Sequence, residues 1–244
     1  MTFSLIWESD FTADVPLGSW GASSGTLSSP EGSVAGFWAY PYPWPDEASK
    51  SGSGPGGYYD PGQTVCISGG VMKIRLWRDE IPSWSPVPSP ARIHSCALVP
   101  LASNGMKYGR VIETFKVTRA VPGYRSVHQL VPSSGLETVV FPGGDWTQNI
   151  SATYRNADGR TEEQTTTDSA FTGWTTTMLA WTPAGTVYYV DGIEVFQVDG
   201  GPYVASSFVM GHESSLDSDM IPGAAEGSWA QTDIANVQVY SYTP

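Results

Sequence analysis

The sequence predicts a single all-β domain spanning residues 1–244. Three observations predict it. Glycine (27) and proline (19) are abundant while only 15% of residues are charged, a mixture that suits short strands joined by many turns. Apolar and polar residues alternate over short runs, as on a half-buried strand. No stretch holds a helical period over a useful length, and no fixed-period repeat or composition break divides the chain. A chain of this size hides roughly 70% of its unfolded surface. Ten Trp and twelve Tyr are too much apolar surface to leave in water, which excludes a disordered chain.

Residues 3–7 read as a first strand, followed by a loop with Pro16, Gly18 and Trp20. Residues 21–36 are Ser/Gly-rich and too polar for core. Residues 37–45 then place Phe37, Trp38, Tyr40, Tyr42 and Trp44 among prolines at alternate positions, which hold the segment extended and keep it from the inside of a sheet. Its aromatics either pack back on the core or form a stacking platform for a ligand. After a Ser/Gly-rich run (49–57), residues 64–67 and 71–77 form a hairpin about Gly69-Gly70, with Met72, Ile74 and Leu76 alternating with Lys73, Arg75 and Trp77. A Pro-rich loop (82–90) carries Trp84. Strands follow at 93–101 and 108–117, then a hairpin that turns at Pro132-Ser133-Ser134-Gly135. Further strands cover 149–155, the Thr-rich 161–167 and 174–181. Thr182-Pro-Ala-Gly turns into 187–190, and Asp191-Gly192 turns into 193–198. Residues 208–211 and 234–242 close the sheet.

The formal charge is −12, from 24 acidic and 12 basic residues. Such a chain repels a phosphate backbone, which excludes nucleic acid and an anionic membrane as natural partners. A neutral sugar polymer is the partner its acidity opposes least. Two buried thiols are preferred to a bridge for Cys66 and Cys96, and His94, His128 and His212 share no metal-ligand spacing. The chain opens directly on strand pattern, with no secretion-signal pattern and no apolar run that would insert in a membrane.

Four motifs in order resemble glycoside hydrolase family 16. Trp181-Thr-Pro-x-Gly followed by Tyr189-Val-Asp-Gly192 is similar to that family's hairpin. Tyr108-Gly-Arg-Val-Ile-Glu-Thr-Phe-Lys-Val117 resembles its Tyr-Gly-Arg-x-Glu-x-Arg-x-Lys-Val strand. Trp7-Glu-Ser-Asp-Phe11 and Asp233-Ile-Ala-Asn-Val-Gln-Val-Tyr240 resemble its opening and closing strands. The resemblance implies a concanavalin A-like β-sandwich, a jelly roll of two antiparallel sheets, one curved around a sugar-binding groove. Its first and last strands should lie together. Family members carry Glu-x-Asp-x-(x)-Glu on a groove strand, and a retaining mechanism needs the two Glu carboxyls about 5–5.5 Å apart. Phe141-Pro-Gly-Gly-Asp145 and Ile150-Ser-Ala-Thr-Tyr-Arg155 resemble the version found in minor tail proteins of actinobacterial phages.

In that register the nucleophile position holds Thr138, the Asp position Val140 and the acid/base position Gly143. Thr138 and Val140 should then point into the groove, with Glu137 on the other face. The expectation is therefore a non-catalytic carbohydrate-binding protein of a virion tail tip, made in the host cytoplasm. It would read a cell-surface polysaccharide or glycolipid, beside other tail proteins or further copies of itself. Trp38, Tyr40, Trp44 and Trp146 would stack on sugar rings, while His128, Gln129 and Arg155 would supply hydrogen bonds. One alternative is an active hydrolase using Glu137, Asp145, Asp46 or Glu47; another is a purely structural tail subunit. The resemblance also implies a structural calcium near the chain ends with Asp233 as a ligand, against Asp233 merely capping a turn.

Overall fold

The computed structural model describes residues 2–20, 24–26, 29–31, 33–46, 57–80, 93–133, 138–156, 161–215 and 223–244. The Pro-rich loop with Trp84, most of the Ser/Gly run, Glu47 and Glu137 lie outside the described residues. In chain order the first strands are β1 (Thr2–Ser9), β2 (Ser24–Thr26), β3 (Ser29–Glu31), β4 (Phe37–Ala39) and β5 (Gly57–Tyr59). A single helical turn, α1 (Pro61–Thr64), leads to β6 (Val65–Ser68), β7 (Val71–Arg78) and β8 (Ile93–Pro100). Next come β9 (Gly109–Arg119), β10 (Tyr124–Pro132), β11 (Thr138–Asp145), β12 (Asn149–Arg155) and β13 (Thr161–Ala170). The chain closes with β14 (Thr175–Thr182), β15 (Gly185–Val190), β16 (Ile193–Val198), β17 (Ser206–Ser214) and β18 (Trp229–Thr243).

These strands pair in the order β13-β12-β11-β10-β17-β8-β7-β18-β9-β14-β15-β16, a curled sheet that β8 and β7 fold into two facing layers. The fold link is short: β7 and β8 pair through Trp77 with His94 and Arg78 with Ile93. The expected neighbours are present, since Thr2 of β1 pairs with Thr243 of β18 and the ladder runs to Ser9 with Val237. Two tight turns have the chemistry their strands need. Gly69 (φ 63) and Gly70 (φ 78) join β6 to β7, and Asp191 (φ 49) with Gly192 (φ 80) joins β15 to β16. Positive φ at both central residues matches the right-handed twist of the flanking strands.

Alternation along each strand builds the core. Tyr124, Ser126, His128 and Leu130 of β10 turn inward, as do Val139 and Phe141 of β11 and Phe208, Met210 and His212 of β17. From the facing layer come Met72, Ile74 and Leu76 of β7, Val111, Glu113 and Phe115 of β9, and Leu179 and Trp181 of β14. Phe141 meets Tyr188 edge-on, with ring centroids 5.3 Å apart, and joins the two layers. Cys96 is buried, Cys66 is half-buried, and the two are not bonded.

The Pro-rich aromatic segment departs from expectation. Phe37, Trp38 and Ala39 form an edge strand that pairs antiparallel with Pro100, Val99 and Leu98 of β8. The prolines begin only at residue 41, so the three residues before them keep the N–H groups a ladder requires.

Candidate functional site

The face of β12, β11, β10, β17 and β8 opposite the core is where the resemblance places the groove. Val139 and Phe141 are in the core, so Thr138 and Val140 fall on this open face. By the same alternation it receives Arg125, Val127 and Gln129 from β10, Ser151, Thr153 and Arg155 from β12, and Val209, Gly211 and Glu213 from β17. A shift in pairing between Val140 and Gly143, beside Pro142, keeps Gly143 on the same face opposite Ser151. A Cβ on Gly143 would sit 3.0 Å from the Val140 side chain and 3.3 Å from Ser151 Oγ.

The register lines these residues up in rows. Ser151, Gly143, Val127 and Gly211 are successive partners across four strands, so two of the four positions in this row carry no side chain. Thr153, Val140 and Gln129 form the row beside it, and Arg155 lies opposite Thr138 beyond that. On the other side stands a held carboxylate. The Tyr59 hydroxyl donates to Glu213 Oε1 at 2.5 Å, and an Arg125 guanidinium nitrogen lies 3.4 Å from Glu213 Oε2. The Glu213 side chain is only 2% exposed and that of Arg125 17%, so this pair is screened far less than a surface pair.

The β8 end of the same face is closed by a second apolar cluster. Trp38, Tyr59, Ala97, Val99 and Val209 pack together, with Tyr40, Leu101 and Val131 against them. Trp38 is 1% exposed and meets Tyr40 edge-on at 5.0 Å, so it is packing and not a free stacking surface. Tyr40 is half-buried between Trp38, Tyr59 and Trp44. Trp44, at 47%, and Tyr42, at 54%, are the exposed aromatics of this segment.

Two expected ligand contacts are corrected. Trp146 is 1% exposed in the main core, where its indole N–H donates to Ser126 Oγ at 2.8 Å. His128 is 1% exposed and faces the other layer, with Nδ1 2.7 Å from Glu113 Oε2 and Nε2 3.3 Å from His212 Nε2. His128 sits on the inward set of β10, one residue out of phase with the open face, and Trp146 lies in the turn that follows β11. Gln129 and Arg155 are on that face. Among the fallback acids, Asp145 is tied into a turn: it accepts from the Gly123 and Thr147 N–H groups and the Ser215 hydroxyl. Asp46 is buried and accepts from the Ser214 hydroxyl at 2.9 Å. Both carboxylates are buried and taken up by these bonds. Asp233 has Lys73 and Lys116 opposite it on the two flanking strands and accepts from Gln231 at 2.8 Å. Calcium takes on the order of six to eight oxygen ligands, and one carboxylate between two ammonium groups does not fit that donor set. Among the described residues no group of three or more His, Cys, Asp or Glu is gathered for a metal.

Sequence reasoning missed Glu213, Tyr59 and Arg125. The alternation of β10 put Arg125 in phase with Gln129, which is a legible signal. Nothing local to residues 57–59 signalled that a parallel strand would bring Tyr59 onto the face beside Glu213.

No protein-family model matches the chain, and no curated protein sequence does. Solved structures do. The chain is similar to SCLam, a non-specific endo-β-1,3(4)-glucanase from glycoside hydrolase family 16, with a TM-score of 0.72 at 16% identity over 99% of this chain and 92% of that one. It is similar to the catalytic domain of an endo-1,3-β-glucanase (laminarinase) from Thermotoga petrophila, with a TM-score of 0.69 at 11% identity over 100% and 99% of the two chains. A third is LamA from Z. galactanivorans in complex with laminaritriose and laminaritetraose, with a TM-score of 0.70 at 14% identity over 98% and 100%. These neighbours overturn the expectation that the chain is no enzyme: the structures it matches end to end are endo-glucanases, and Glu137, the fallback acid that precedes Thr138 in sequence, lies outside the described residues. The chain therefore has the concanavalin A-like jelly-roll fold of the family 16 glycoside hydrolases.

Proposed function

We propose that the open face of β10, β11 and β12, bordered by β17, binds a polysaccharide of the host cell envelope, and that the protein does so at a phage tail tip. The observation that carries the first part is the low row Ser151, Gly143, Val127 and Gly211, which leaves width for a sugar ring. Hydroxyl, amide and guanidinium groups flank it: Thr153 and Gln129 on one side, Arg125 on the other, and Arg155 further out. These are the few convergent polar groups that orient a saccharide, with Trp44 and Tyr40 as flat apolar surface at the margin. Laminaritriose and laminaritetraose, which LamA holds, are the first ligands to test. The tail assignment rests on the Phe141-Pro-Gly-Gly-Asp145 and Ile150-Ser-Ala resemblance. Other tail proteins and further copies of this chain are its natural neighbours there, and repeated sites would multiply a weak single-site affinity.

The experiment is calorimetric titration of laminaritetraose and of host-wall polysaccharide into wild type, Gln129→Ala and Arg155→Ala. Saturable binding that weakens about tenfold in each variant, roughly the loss of one good hydrogen bond to a charged or amide group, supports the reading. Absence of binding to every host-wall polysaccharide replaces it with a structural tail subunit. Release of reducing ends from the same polysaccharides, with Glu137→Gln alongside wild type, reports whether the bound chain is also cleaved.

A further inference from the structure

On the outer face of the second layer, away from the sugar-binding face, lies a pocket of about 460 Å³. The alternation of β7 that buries Met72, Ile74 and Leu76 turns Lys73, Arg75 and Trp77 outward into this pocket. The neighbouring β18 sets Gln231 opposite Arg75, and α1 brings Gln63 to the rim. The opposite lip is Leu17, 59% exposed, on a segment fastened to β6 by two hydrogen bonds between Val15 and Ile67, at 2.9 and 2.8 Å.

The polar groups of this pocket are held in place. The Arg75 guanidinium carbon lies 4.3 Å from the centroid of the Trp229 ring, and Lys73 Nζ donates to Ser68 Oγ at 2.8 Å. Trp77 stacks on His94 at 4.2 Å with 15° between the planes, which fixes its indole as one wall. Lys116 and Arg119 of β9 extend the basic patch across β18, where Arg119 also lies over Trp229. Asp233 is the acid opposite Lys73 in this stretch, and its carboxylate takes the Gln231 amide. Four of the chain's twelve basic residues thus share one outer face of a protein whose net charge is −12. Long-range repulsion from the rest of the molecule discourages a diffuse polyanion, so an anion that binds here must be held by short-range contacts.

We propose that this pocket is a second saccharide site, taking an acidic sugar unit whose ring lies against Trp77 and whose carboxylate or phosphate sits between Lys73 and Arg75. An aromatic wall beside two amides is the lining a sugar ring calls for: apolar C–H on one face, hydroxyls at the edge. The two cations add selectivity for an anionic substituent, and the guanidinium fork matches a carboxylate or phosphate in shape. A uronate and a sugar phosphate offer the same chemistry, so both are probes. The site does not depend on the open face of the other layer.

The test is a nuclear magnetic resonance titration that follows the Trp77 indole N–H, assigned by Trp77→Phe. Digalacturonate, glucose 6-phosphate, laminaritetraose and adenosine monophosphate are added separately. Expected are a saturable shift with at least one of the two acidic sugars, about tenfold weaker binding in Arg75→Gln and Lys73→Gln, and weakening by added salt. Digalacturonate alone or glucose 6-phosphate alone names the acid group. Saturating laminaritetraose should leave the acidic sugar bound. Arg75 is exposed, so Arg75→Gln keeps the wild-type unfolding midpoint and carries the test even where Lys73→Gln does not fold. The proposal is overturned by any of three results: no shift with either acidic sugar, equal binding of laminaritetraose, or wild-type affinity in Arg75→Gln. Tighter binding of adenosine monophosphate than of either sugar also overturns it, in favour of a nucleotide.

Discussion

Glu113 and His128 meet across the interior of the sandwich: Oε2 of Glu113 on β9 lies 2.7 Å from Nδ1 of His128 on β10. The two strands are consecutive in the chain but belong to different layers, so this contact ties the layers together at a point where both residues are 1% exposed. His212 of β17 completes the cluster at 3.3 Å from His128. The two contacts offset part of the cost of burying these groups, while Glu113 Oε1 and His212 Nδ1 remain buried without a partner.

Acid should loosen this cluster through His212. Burial first, and then the neighbouring His128, push its imidazole well below the usual range. The folded protein keeps His212 neutral where the unfolded chain takes up a proton, so the unfolded state binds more protons and stability is lost as the pH falls. The contribution is complete above about pH 6.5, the ordinary imidazole value, and is lost progressively below it. One such group gives a slope of up to about 1.4 kcal/mol per pH unit. Thermal unfolding followed from about pH 7.5 to about pH 5 should show a shallower loss in His212→Gln than in wild type. Parallel curves would remove His212 from the account.

Removing one member of the pair is expected to cost far more than a surface substitution. Glu113→Ala leaves His128 without its partner in the core, a change worth about 3–5 kcal/mol when a buried pair is broken from one side. Glu113→Gln retains an oxygen at the same reach and should cost about half as much or less. Urea unfolding of the two variants checks the order. Equal losses would mean that the carboxylate charge, which both variants remove, decides the site rather than the oxygen's reach or the side chain's volume.

Trp146 offers a direct contrast between a core and a ligand role. Its ring is enclosed and its N–H is bound to Ser126. Trp146→Ala should therefore destabilise the fold by about 3–5 kcal/mol, as large aromatic deletions do. Ser126→Ala should cost about 1 kcal/mol by orphaning the indole N–H. Denaturation curves decide it. A Trp146→Ala protein that unfolds like wild type but loses polysaccharide binding would return the residue to the groove.

Period-two patterning made most strands legible in the sequence, because one face of each is buried. Met72, Ile74 and Leu76 lie inward as read, and so do Val139 and Phe141 beside the open-face pair Thr138 and Val140. The phase of a strand was harder. His128 and Gln129 cannot both be ligand contacts, because adjacent residues point oppositely, and only the inward Leu130 and Tyr124 fix which one faces the core. Polar core residues hide from a hydrophobicity reading. Glu113 and His128 look like surface until a partner in the other layer is known. The short strands β4 and β5 escaped because a three-residue ladder leaves no period to read.

Trp44 separates the stacking hypothesis from the packing one most cleanly. It is 47% exposed and touches Tyr40 edge-on at 5.9 Å, so about half of its surface is open to a ligand. Trp44→Ala should cost about 2 kcal/mol of unfolding free energy, since roughly half of its surface is buried. The same substitution should weaken polysaccharide binding about five- to tenfold, the loss of one aromatic face being worth roughly 1–1.4 kcal/mol. Trp38→Ala, by contrast, empties the second apolar cluster and should cost about 3–5 kcal/mol in stability. Calorimetric titration with laminaritetraose, alongside denaturation, reads both quantities on each variant. Unchanged affinity in Trp44→Ala would take the exposed aromatic out of the binding face and leave the rows of β10, β11, β12 and β17 to hold the ligand alone.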